Sequence, residues 1–325
     1  MDGETVIVQR SVFYAQLLYA IMRAAGAGCR IVVNDTRSAT VELSDSQFVV
    51  NIICTWLLSN RGLDQCGCAG ADGRDQDVFV RGSAAAIRAQ DHKEASSSAF
   101  SLRSARNVFQ SSWVVVQRSR LVVAEFVGGA LTVLLLGQRR ASVEVYDSVF
   151  ALNLVAVISD VAFASGSALQ VSGRVTHFRA AVADCDFFKN VIFAAALMST
   201  RVEGAAAIVP TLGIDLFKPP LGGSNFVSFS RCHFSWNLAA GIGGAACSAA
   251  GGGLFVHSTN RLLDRVTIED CSFDTQVLAA ASALPEAAGS AVFVFILKSV
   301  DSAVHVLRSR FTNNSALDSS VQSSQ

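Results

Sequence analysis

The sequence predicts an all-β protein, a parallel β-helix solenoid of about eight coils. One motif, apolar-x-apolar-x-x-(Ser/Cys)-x-Phe-x-x-(Asn/Gln), recurs around Phe13, Phe48, Phe109, Phe150, Phe187, Phe234, Phe273 and Phe311. A second motif alternates with it: a small-residue step leading into an apolar-x-apolar strand, as in Gly128-Gly129-Ala130-Leu131 and Gly251-Gly252-Gly253-Leu254. The composition agrees, because 51% hydrophobic residues, 16% charged residues and a net charge of zero favour a large core and give no basic field for nucleic acid.

Each coil is expected to hold three short strands, because three segments alternate apolar and polar residues with the period of a strand. One strand follows the glycines, one carries the apolar-x-apolar pair and one carries Ser/Cys-x-Phe. The second apolar residue and Ser/Cys are three positions apart, so they share a face only if the chain bends between them. The sequence therefore predicts a corner at Tyr146-Asp147, at Glu269-Asp270 and at the matching positions of the other coils.

Stacked coils lie about 4.8 Å apart, which brings equivalent residues together into ladders. We expect a ladder of the Phe anchors and an aliphatic ladder made of Val6, Val41, Leu102, Val143, Ala180, Val227, Val266 and Val304. A third ladder is made of the amides Gln16, Asn51, Asn153, Asn190, Asn237, Gln276 and Asn314, with Ser112 as its break. Linked amides satisfy the backbone at a turn, which accounts for these residues without any ligand.

A β-propeller is the competing architecture, since its blades repeat at about 40–50 residues. A blade needs four antiparallel strands joined by hairpins, whereas each unit here supplies three. The Asn-Gly and Asp-Gly signals of tight hairpins occur only at Asp2-Gly3 and Asp72-Gly73. The sequence therefore favours the β-helix.

We expect a single domain over residues 1–325 with two loop excursions, at 52–81 and 209–225. Loops project from a solenoid while its strands are constrained by stacking, so the excursions are candidate places for specificity. Solenoids protect their exposed strand edges with caps, and neither end of the sequence shows one. This predicts a fragment of a longer repeat protein with neighbouring repeats.

Two apolar runs resemble targeting or membrane segments. The run 121–136 is short, carries Glu125 and keeps the register of the repeat, so we expect a buried strand and no transmembrane segment in this chain. The run 11–22 resembles the apolar part of a signal peptide. Glu4 stands before it where a basic residue belongs, and Phe13 already obeys the repeat, so we expect strands there as well.

The two motifs together resemble the repeats of chlamydial polymorphic outer membrane proteins. Gly-Gly-Ala-Leu occurs at 128–131, and Phe-x-x-Asn begins at Phe48, Phe150, Phe187, Phe234 and Phe311. They are also similar to repeats of pectin-lyase-like surface proteins from algae and protists. The resemblance covers nearly the whole chain and implies a right-handed β-helix in a surface passenger or adhesin-like protein. The C-terminal barrel of the outer membrane family has no counterpart in this sequence.

A parallel β-helix is also similar to polysaccharide lyases and hydrolases. These enzymes place several carboxylates together on one face, where they bind Ca²⁺ or act as acid and base. The corner position three residues before each Phe carries Arg10, Asp45, Arg106, Asp147, Asp184, Arg231, Asp270 and Arg308. Asp147 and Asp184, flanked by Arg231, are the candidate catalytic residues, because a stacked carboxylate pair raises one pKa or attracts a cation. Alternating charges at an outward corner are the simpler interpretation and the favoured one. The histidines share no repeat position: His92, His177, His233, His257 and His305.

The cysteines fall into two groups. Cys185, Cys232 and Cys271 occupy the Ser/Cys position of successive coils, where parallel side chains favour a ladder of buried thiols over disulfides. The other group, the candidates for disulfides in a secreted protein, is Cys54, Cys66 and Cys68, together with Cys29. Their pairing is left open. No second Cys/His pair at zinc-finger spacing follows them, so we expect no metal site and no cofactor.

The sequence therefore predicts a non-enzymatic structural or recognition module of an extracellular or cell-surface protein. Its partners are expected to be a glycan or a surface protein, bound along the long face or through the excursions 52–81 and 209–225. The alternative is a polysaccharide lyase or glycoside hydrolase of the pectin-lyase-like class, acting with Asp147 and Asp184.

Overall fold

The computed structural model describes residues 4–19, 23–25, 28–34, 38–57, 79–81, 84–91, 98–118, 123–124, 129–211, 223–259 and 261–320. All regular elements in these ranges are β-strands, and the strands pair in parallel. They form three long sheets, named A, B and C here, and one two-stranded sheet that pairs Arg23–Ala25 (β4) with Phe79–Arg81 (β9). This is the architecture of a parallel β-helix solenoid, which confirms the predicted fold class.

The strand bounds follow the sequence motifs. Sheet A holds the strands after the glycines and those of the apolar-x-apolar pair: β1 (Glu4–Gln9), β5 (Cys29–Asn34), β6 (Ser38–Ser44), β10 (Ala85–Gln90), β11 (Ala99–Ala105), β15 (Leu131–Tyr146), β18 (Leu169–Ala183), β21 (Ala207–Thr211), β22 (Ser224–Ser230), β26 (Leu254–Thr259), β27 (Leu263–Glu269), β31 (Val292–Leu297) and β32 (Asp301–Leu307). Sheet B holds the Phe strands: β2 (Val12–Tyr14), β7 (Gln47–Val49), β12 (Val108–Gln110), β16 (Val149–Ala151), β19 (Asp186–Phe188), β23 (His233–Ser235), β28 (Ser272–Asp274) and β33 (Arg310–Thr312). Sheet C follows the amides: β3 (Leu17–Tyr19), β8 (Ile52–Leu57), β13 (Trp113–Arg118), β14 (Val123–Ala124), β17 (Leu154–Ser165), β20 (Val191–Glu203), β24 (Leu238–Gly243), β25 (Ala246–Ala250), β29 (Val277–Ser282), β30 (Leu284–Ala288) and β34 (Ser315–Ser320).

The predicted Phe ladder runs through the core. Successive rings from Phe13 to Phe311 stack with centroids 4.6–5.0 Å apart and planes within 8° of parallel. The predicted aliphatic ladder is also in register, for example Val143 with Ala180 and Val227 with Val266. Aromatic stacking adds to the apolar area that each ring buries, so the ladder fixes the register of sheet B.

The corners before the Phe strands lie where the spacing predicts them. All eight corner residues, among them Asp147 and Asp270, adopt left-handed backbone with φ between 46° and 54°. A second row of left-handed residues, which the sequence analysis missed, precedes each amide with φ between 51° and 58°: Ala15, Val50, Ser111, Leu152, Lys189, Trp236, Thr275 and Asn313. Two left-handed residues thus bracket each three-residue strand of sheet B and turn the chain sharply on both sides of it.

The amide ladder closes the second corner. Asn190 is fully buried; its Nδ2 donates to the Phe150 carbonyl and to Asn237 Oδ1, both at 3.0 Å. Its own Oδ1 accepts from Asn153 Nδ2 at 2.9 Å, and Ser112 continues the row by donating its backbone N–H to Asn153 Oδ1 at 3.0 Å. The predicted ladder is confirmed, and its role is to satisfy carbonyl groups of the preceding coil.

The three strands of a coil differ from the predicted three. The strand after the glycines and the apolar-x-apolar strand belong to the same sheet, and they form one continuous strand in β15 and in β18. The strands of sheet C were not predicted as separate elements. They carry few marker residues, because most of them are Ala-rich or apolar runs without a residue type that repeats at one position. The coil count and the right hand of the solenoid stay predictions.

Both predicted excursions are shorter than their proposed bounds. Residues 52–57 form β8 of sheet C in register with β13, and 79–81 form β9. Residues 209–211 end β21, and 224–225 begin β22. Their middle parts, 58–78 and 212–222, lie outside the described residues.

Candidate functional site

The candidate catalytic residues lie together at the first corner. Asp147 and Asp184 end neighbouring rungs, and the Asp147 backbone N–H donates to the Ala183 carbonyl at 3.1 Å. Arg231 binds Asp184 through two parallel hydrogen bonds, Nε to Oδ1 at 2.6 Å and Nη2 to Oδ2 at 2.7 Å. The structure therefore brings the three predicted residues together, but one of the two carboxylates already has a guanidinium partner.

The same pairing recurs along the corner row. Arg106 binds Asp45 with Nε–Oδ1 and Nη2–Oδ2 distances of 2.6 and 2.9 Å, and Arg308 binds Asp270 at 2.8 and 2.9 Å. The hydrogen bond from Arg231 lowers the pKa of Asp184, so this carboxylate of the pair stays ionised. The geometry fits an exposed ladder of alternating charges, the simpler interpretation of this row.

The predicted thiol ladder is present in the core. Cys185, Cys232 and Cys271 are buried free thiols, and their Sγ atoms donate to the carbonyls two residues before them at 3.2, 3.4 and 3.3 Å. The pKa of Cys232 is raised, first by its contact with the Cys185 thiol and also by burial. The raised pKa keeps the Cys232 thiol protonated and inert. Cys29 is also free, whereas the Cys54 side chain, Cys66 and Cys68 lie outside the described residues.

A groove lies on the outer face of sheet A, across β15, β18 and β22. It encloses about 330 Å³. Its outward side chains form two adjacent rows across β15, β18 and β22, made of Arg140, His177 and Ser224 in one and Ser142, Arg179 and Phe226 in the other. Arg140 and Arg179 are exposed, and His177 Nδ1 lies 3.2 Å from Ser224 Oγ. We call this feature the sheet A groove.

The charge of the sheet A groove is positive. Neither Arg140 nor Arg179 has an ion-pair partner among the described residues, in contrast to the paired Arg residues of the corner row. No carboxylate lines the groove within the described part of the chain. Two unpaired guanidinium groups beside an aromatic ring and two hydroxyl groups can bind an anion that also has an apolar face.

The sequence analysis missed these residues because each repeat position in the groove carries three different residue types. Their shared feature is their distance from the anchor, since Arg140, His177 and Ser224 each lie ten residues before a Phe of the ladder. Ser142, Arg179 and Phe226 each lie eight residues before the same anchors. Aligning the repeats on the Phe anchors and scanning the outward columns for charge would have found the groove.

A second polar cluster lies where sheet C turns into sheet A. Arg201 contacts the Glu203 carboxylate on β20, and the Glu203 side chain is only 15% exposed. Burial raises the pKa of Glu203, although Arg201 acts in the opposite direction. On β26, burial lowers the pKa of His257 to about 4, and the positive charge of Arg201 contributes to the shift. His257 is therefore neutral at physiological pH.

No set of three or more His, Cys, Asp or Glu residues is placed to hold a metal ion in the described part of the chain. Nor do the described residues include a helix with the length and hydropathy needed to cross a membrane. In the run 121–136, Val123–Ala124 lies in sheet C and Leu131–Leu136 forms the start of β15, which confirms strand there. No protein-family model, curated protein or solved structure matches the chain.

Proposed function

We propose that this chain is a non-enzymatic recognition module that binds an acidic glycan in the sheet A groove. The observation that carries the proposal is the pair of unpaired guanidinium groups, Arg140 and Arg179, beside the exposed ring of Phe226. At the corner row, by contrast, Asp45, Asp184 and Asp270 are each paired with an Arg residue.

The chemistry of the groove suits an extended acidic polysaccharide. Guanidinium groups bind carboxylates and sulfates with two parallel hydrogen bonds, and an aromatic ring packs on the apolar face of a sugar. The row of Arg179 and Phe226 continues beyond the groove to Arg265 on the next strand, β27. Arg179 and Arg265 are therefore two strand spacings apart, about 10 Å, with the Phe226 ring between them. A chain of alternating acidic and neutral sugars can place its charges at such intervals.

The test is binding of the full chain to soluble glycans by isothermal titration calorimetry. We expect binding to polygalacturonate or a sulfated glycosaminoglycan, weakening as salt increases, and no binding to neutral dextran. Arg140→Ala with Arg179→Ala should abolish it. Arg310→Ala, on the outer face of sheet B, is the matched control and should bind as the unaltered chain does. Equal binding of dextran, or equal binding by the groove variant, would refute the proposal.

The enzymatic alternative has its own arm in this experiment. Release of shortened or unsaturated products from the bound glycan, lost in Asp147→Asn and Asp184→Asn variants that still fold, would establish a lyase or hydrolase. Binding without product formation supports the recognition module.

We place the module in an extracellular or cell-surface protein with neighbouring repeats, related to the pectin-lyase-like and polymorphic outer membrane repeats. The two repeated motifs support this setting. The exposed ladder residues Val304, Val306 and Phe311, which are 46–48% exposed, offer a surface on which a further coil can continue the stack. Fusing such a coil, with a Phe, an Asn and an acidic corner residue in register, should raise the melting temperature. An unchanged melting temperature would count against the neighbouring-repeat part of the proposal.

A further inference from the structure

The outer face of sheet C is predominantly apolar in the part that runs from β8 to β34 through the first halves of β17 and β20. The second half of β20 and strand β30 carry Arg201, Glu203 and Glu286 at outward positions. We call the first part the apolar face. Along this face the outward residues of consecutive strands form three rows. The first row is Ile52, Trp113, Leu154, Val191, Leu238, Val277 and Ser315. The second is Val115, Ala156, Phe193, Ala240, Ala279 and Leu317, and the third is Ile158, Ala195, Ile242, Ala281 and Ser319. None of these side chains carries a charge, and their hydrogen-bonding groups are the indole N–H of Trp113 and the hydroxyl groups of Ser315 and Ser319.

The other two sheets differ in this respect. The outward residues of sheet A include Glu42, Arg103 and Glu144, and those of sheet B include Asp186 and Arg310. A sheet that faces water on one side normally alternates apolar and polar residues, as sheets A and B do. The apolar face of sheet C lacks this alternation, which is the pattern of a sheet that is covered on both faces.

The face is also flat and large. Small residues such as Ala156, Ala195, Ala240 and Ala279 fill its centre, while Trp113 and Ile242 are 43% and 48% exposed. Six strands and about six residues per strand, counting the corner row, give a projected area of roughly 25 Å by 20 Å, and side-chain relief makes the accessible area larger. Apolar patches above about 400 Å² mark interaction sites, and a standard interface buries about 800 Å² per partner.

We propose that the apolar face of sheet C is the interface of a homodimer, in which the same face of a second copy packs against it. Two flat sheets pack face to face about 10 Å apart, and interdigitation needs only small or apolar side chains. A symmetric interface brings the same set of side chains together from both copies, so a face with one sign of charge would repel itself, and the three rows of the apolar face carry no charge. Leu197, Met198 and Leu284, which are 78%, 42% and 74% exposed, extend the apolar contact at one margin.

Two other occupants fit less well. A membrane-binding surface combines apolar residues with unpaired Lys and Arg at the margin. Here Lys189 borders the face, and Arg201, beyond its other margin, contacts the Glu203 carboxylate. The chain segment 58–78 follows β8 and contains Arg61, Asp64, Asp72, Arg74, Asp75 and Asp77. Covering the face with that segment would bring charges onto apolar surface without partners.

The test is sedimentation equilibrium of the full chain over a range of protein concentrations. We expect a dimer at micromolar concentration. Ile242→Lys and Ala195→Glu, both at outward positions, should each weaken dimerisation at least tenfold while circular dichroism stays unchanged. Thr267→Lys, at an outward position of sheet A, is the matched control and should stay dimeric. A monomer at all concentrations, or a dimer that survives both substitutions in folded protein, would overturn the proposal.

Two further arms identify a different occupant. Cosedimentation with vesicles of phosphatidylcholine and phosphatidylserine that Ile242→Lys abolishes, from a chain that is monomeric, would assign the face to a membrane and overturn the dimer. A monomeric chain that dimerises when residues 58–78 are deleted would show that this segment covers the face in the intact protein. Either result leaves glycan binding in the sheet A groove untouched, because the groove lies on another sheet.

Discussion

Single residues stabilise this solenoid chiefly by satisfying buried backbone groups. Asn190 has no exposed surface and makes three side-chain hydrogen bonds of 2.9–3.0 Å to Asn153, Asn237 and the Phe150 carbonyl. A hydrophobic side chain at this position would fill the space but leave the carbonyl and the neighbouring amides without partners. The amide ladder is therefore a structural device, and its residue choice needs no ligand to explain it.

The amide ladder can be tested by removing one rung. Asn190→Ala should lower the free energy of unfolding by about 3 kcal/mol, because at least two buried polar groups lose their partners. Ser112→Ala is the matched control, since Ser112 Oγ is buried with no hydrogen-bond partner and its removal should cost almost nothing. Urea denaturation of both variants measures the difference. Equal losses would mean that the side-chain links contribute nothing beyond volume.

His257 gives the stability a defined pH dependence. Its pKa is about 4 in the folded chain and 6.5 when unperturbed, so between these values the unfolded chain binds more protons. Stability contributed by the neutral imidazole is complete above pH 6.5 and is lost as the pH falls towards 4. The loss should reach about 2 kcal/mol, after allowing for partial exposure of the ring.

The measurement is the urea midpoint of the intact chain and of His257→Gln at pH 7.5 and at pH 5. We expect the intact chain to lose more stability on acidification than the variant. Glu203 acts with the opposite sign, because its raised folded pKa favours the protonated folded state at low pH. Glu203→Gln should therefore enlarge the loss of stability on acidification. If His257→Gln shows the same pH profile as the intact chain, His257 is excluded as the source of that loss.

At the scale of the element, the corners are the most strained parts of the coil. The second corner places Val50 at φ 54° and Thr275 at φ 54°, although β-branched residues avoid left-handed backbone. Val50→Asn should raise the melting temperature and add about 1 kcal/mol of stability, because Asn tolerates that backbone better. Val49→Asn, one residue earlier in the extended strand β7, is the control and should not stabilise. A loss of stability in Val50→Asn would show that packing of Val50 outweighs backbone strain.

The elements also show what the sequence could predict. The Phe, aliphatic and amide ladders were predictable because stacking repeats one residue type at one position. The first corner was predictable because a three-residue step breaks the alternation. The second corner was not, since Val50, Leu152 and Trp236 are not turn-forming residue types, and a neighbouring Asn that serves the ladder hid the bend. The sheet A groove was missed for a related reason: Arg140 and Arg179 stand at different positions of the repeat, and Phe226 is the neighbour of Arg179 only in the stacked coils.

At the scale of the whole molecule, stability should fall along the solenoid axis. Each strand in the middle hydrogen-bonds to a neighbour on both sides, as β22 does with β18 and β27, whereas β32 pairs with β27 alone. Burial follows the same gradient, since Val227 and Phe229 are almost fully buried but Val304 and Val306, in the same ladders, are 46% and 48% exposed. A stack of coils is stabilised mainly by nearest-neighbour contacts, so a coil with one neighbour opens before a coil with two.

Hydrogen exchange measured by mass spectrometry tests this gradient. Amides of Asp301–Leu307 should exchange at least tenfold faster than those of Ser224–Ser230, and strands β33 and β34 should follow the faster group. The two segments can be compared within one sample, because both are seven-residue strands of sheet A. Both pair in register with β27, so their inward positions correspond. Repeating it in the monomeric Ile242→Lys variant separates this gradient from any protection that a dimer gives. Uniform protection would mean that the chain opens as one cooperative unit, with stability set by the whole stack and not by neighbouring coils.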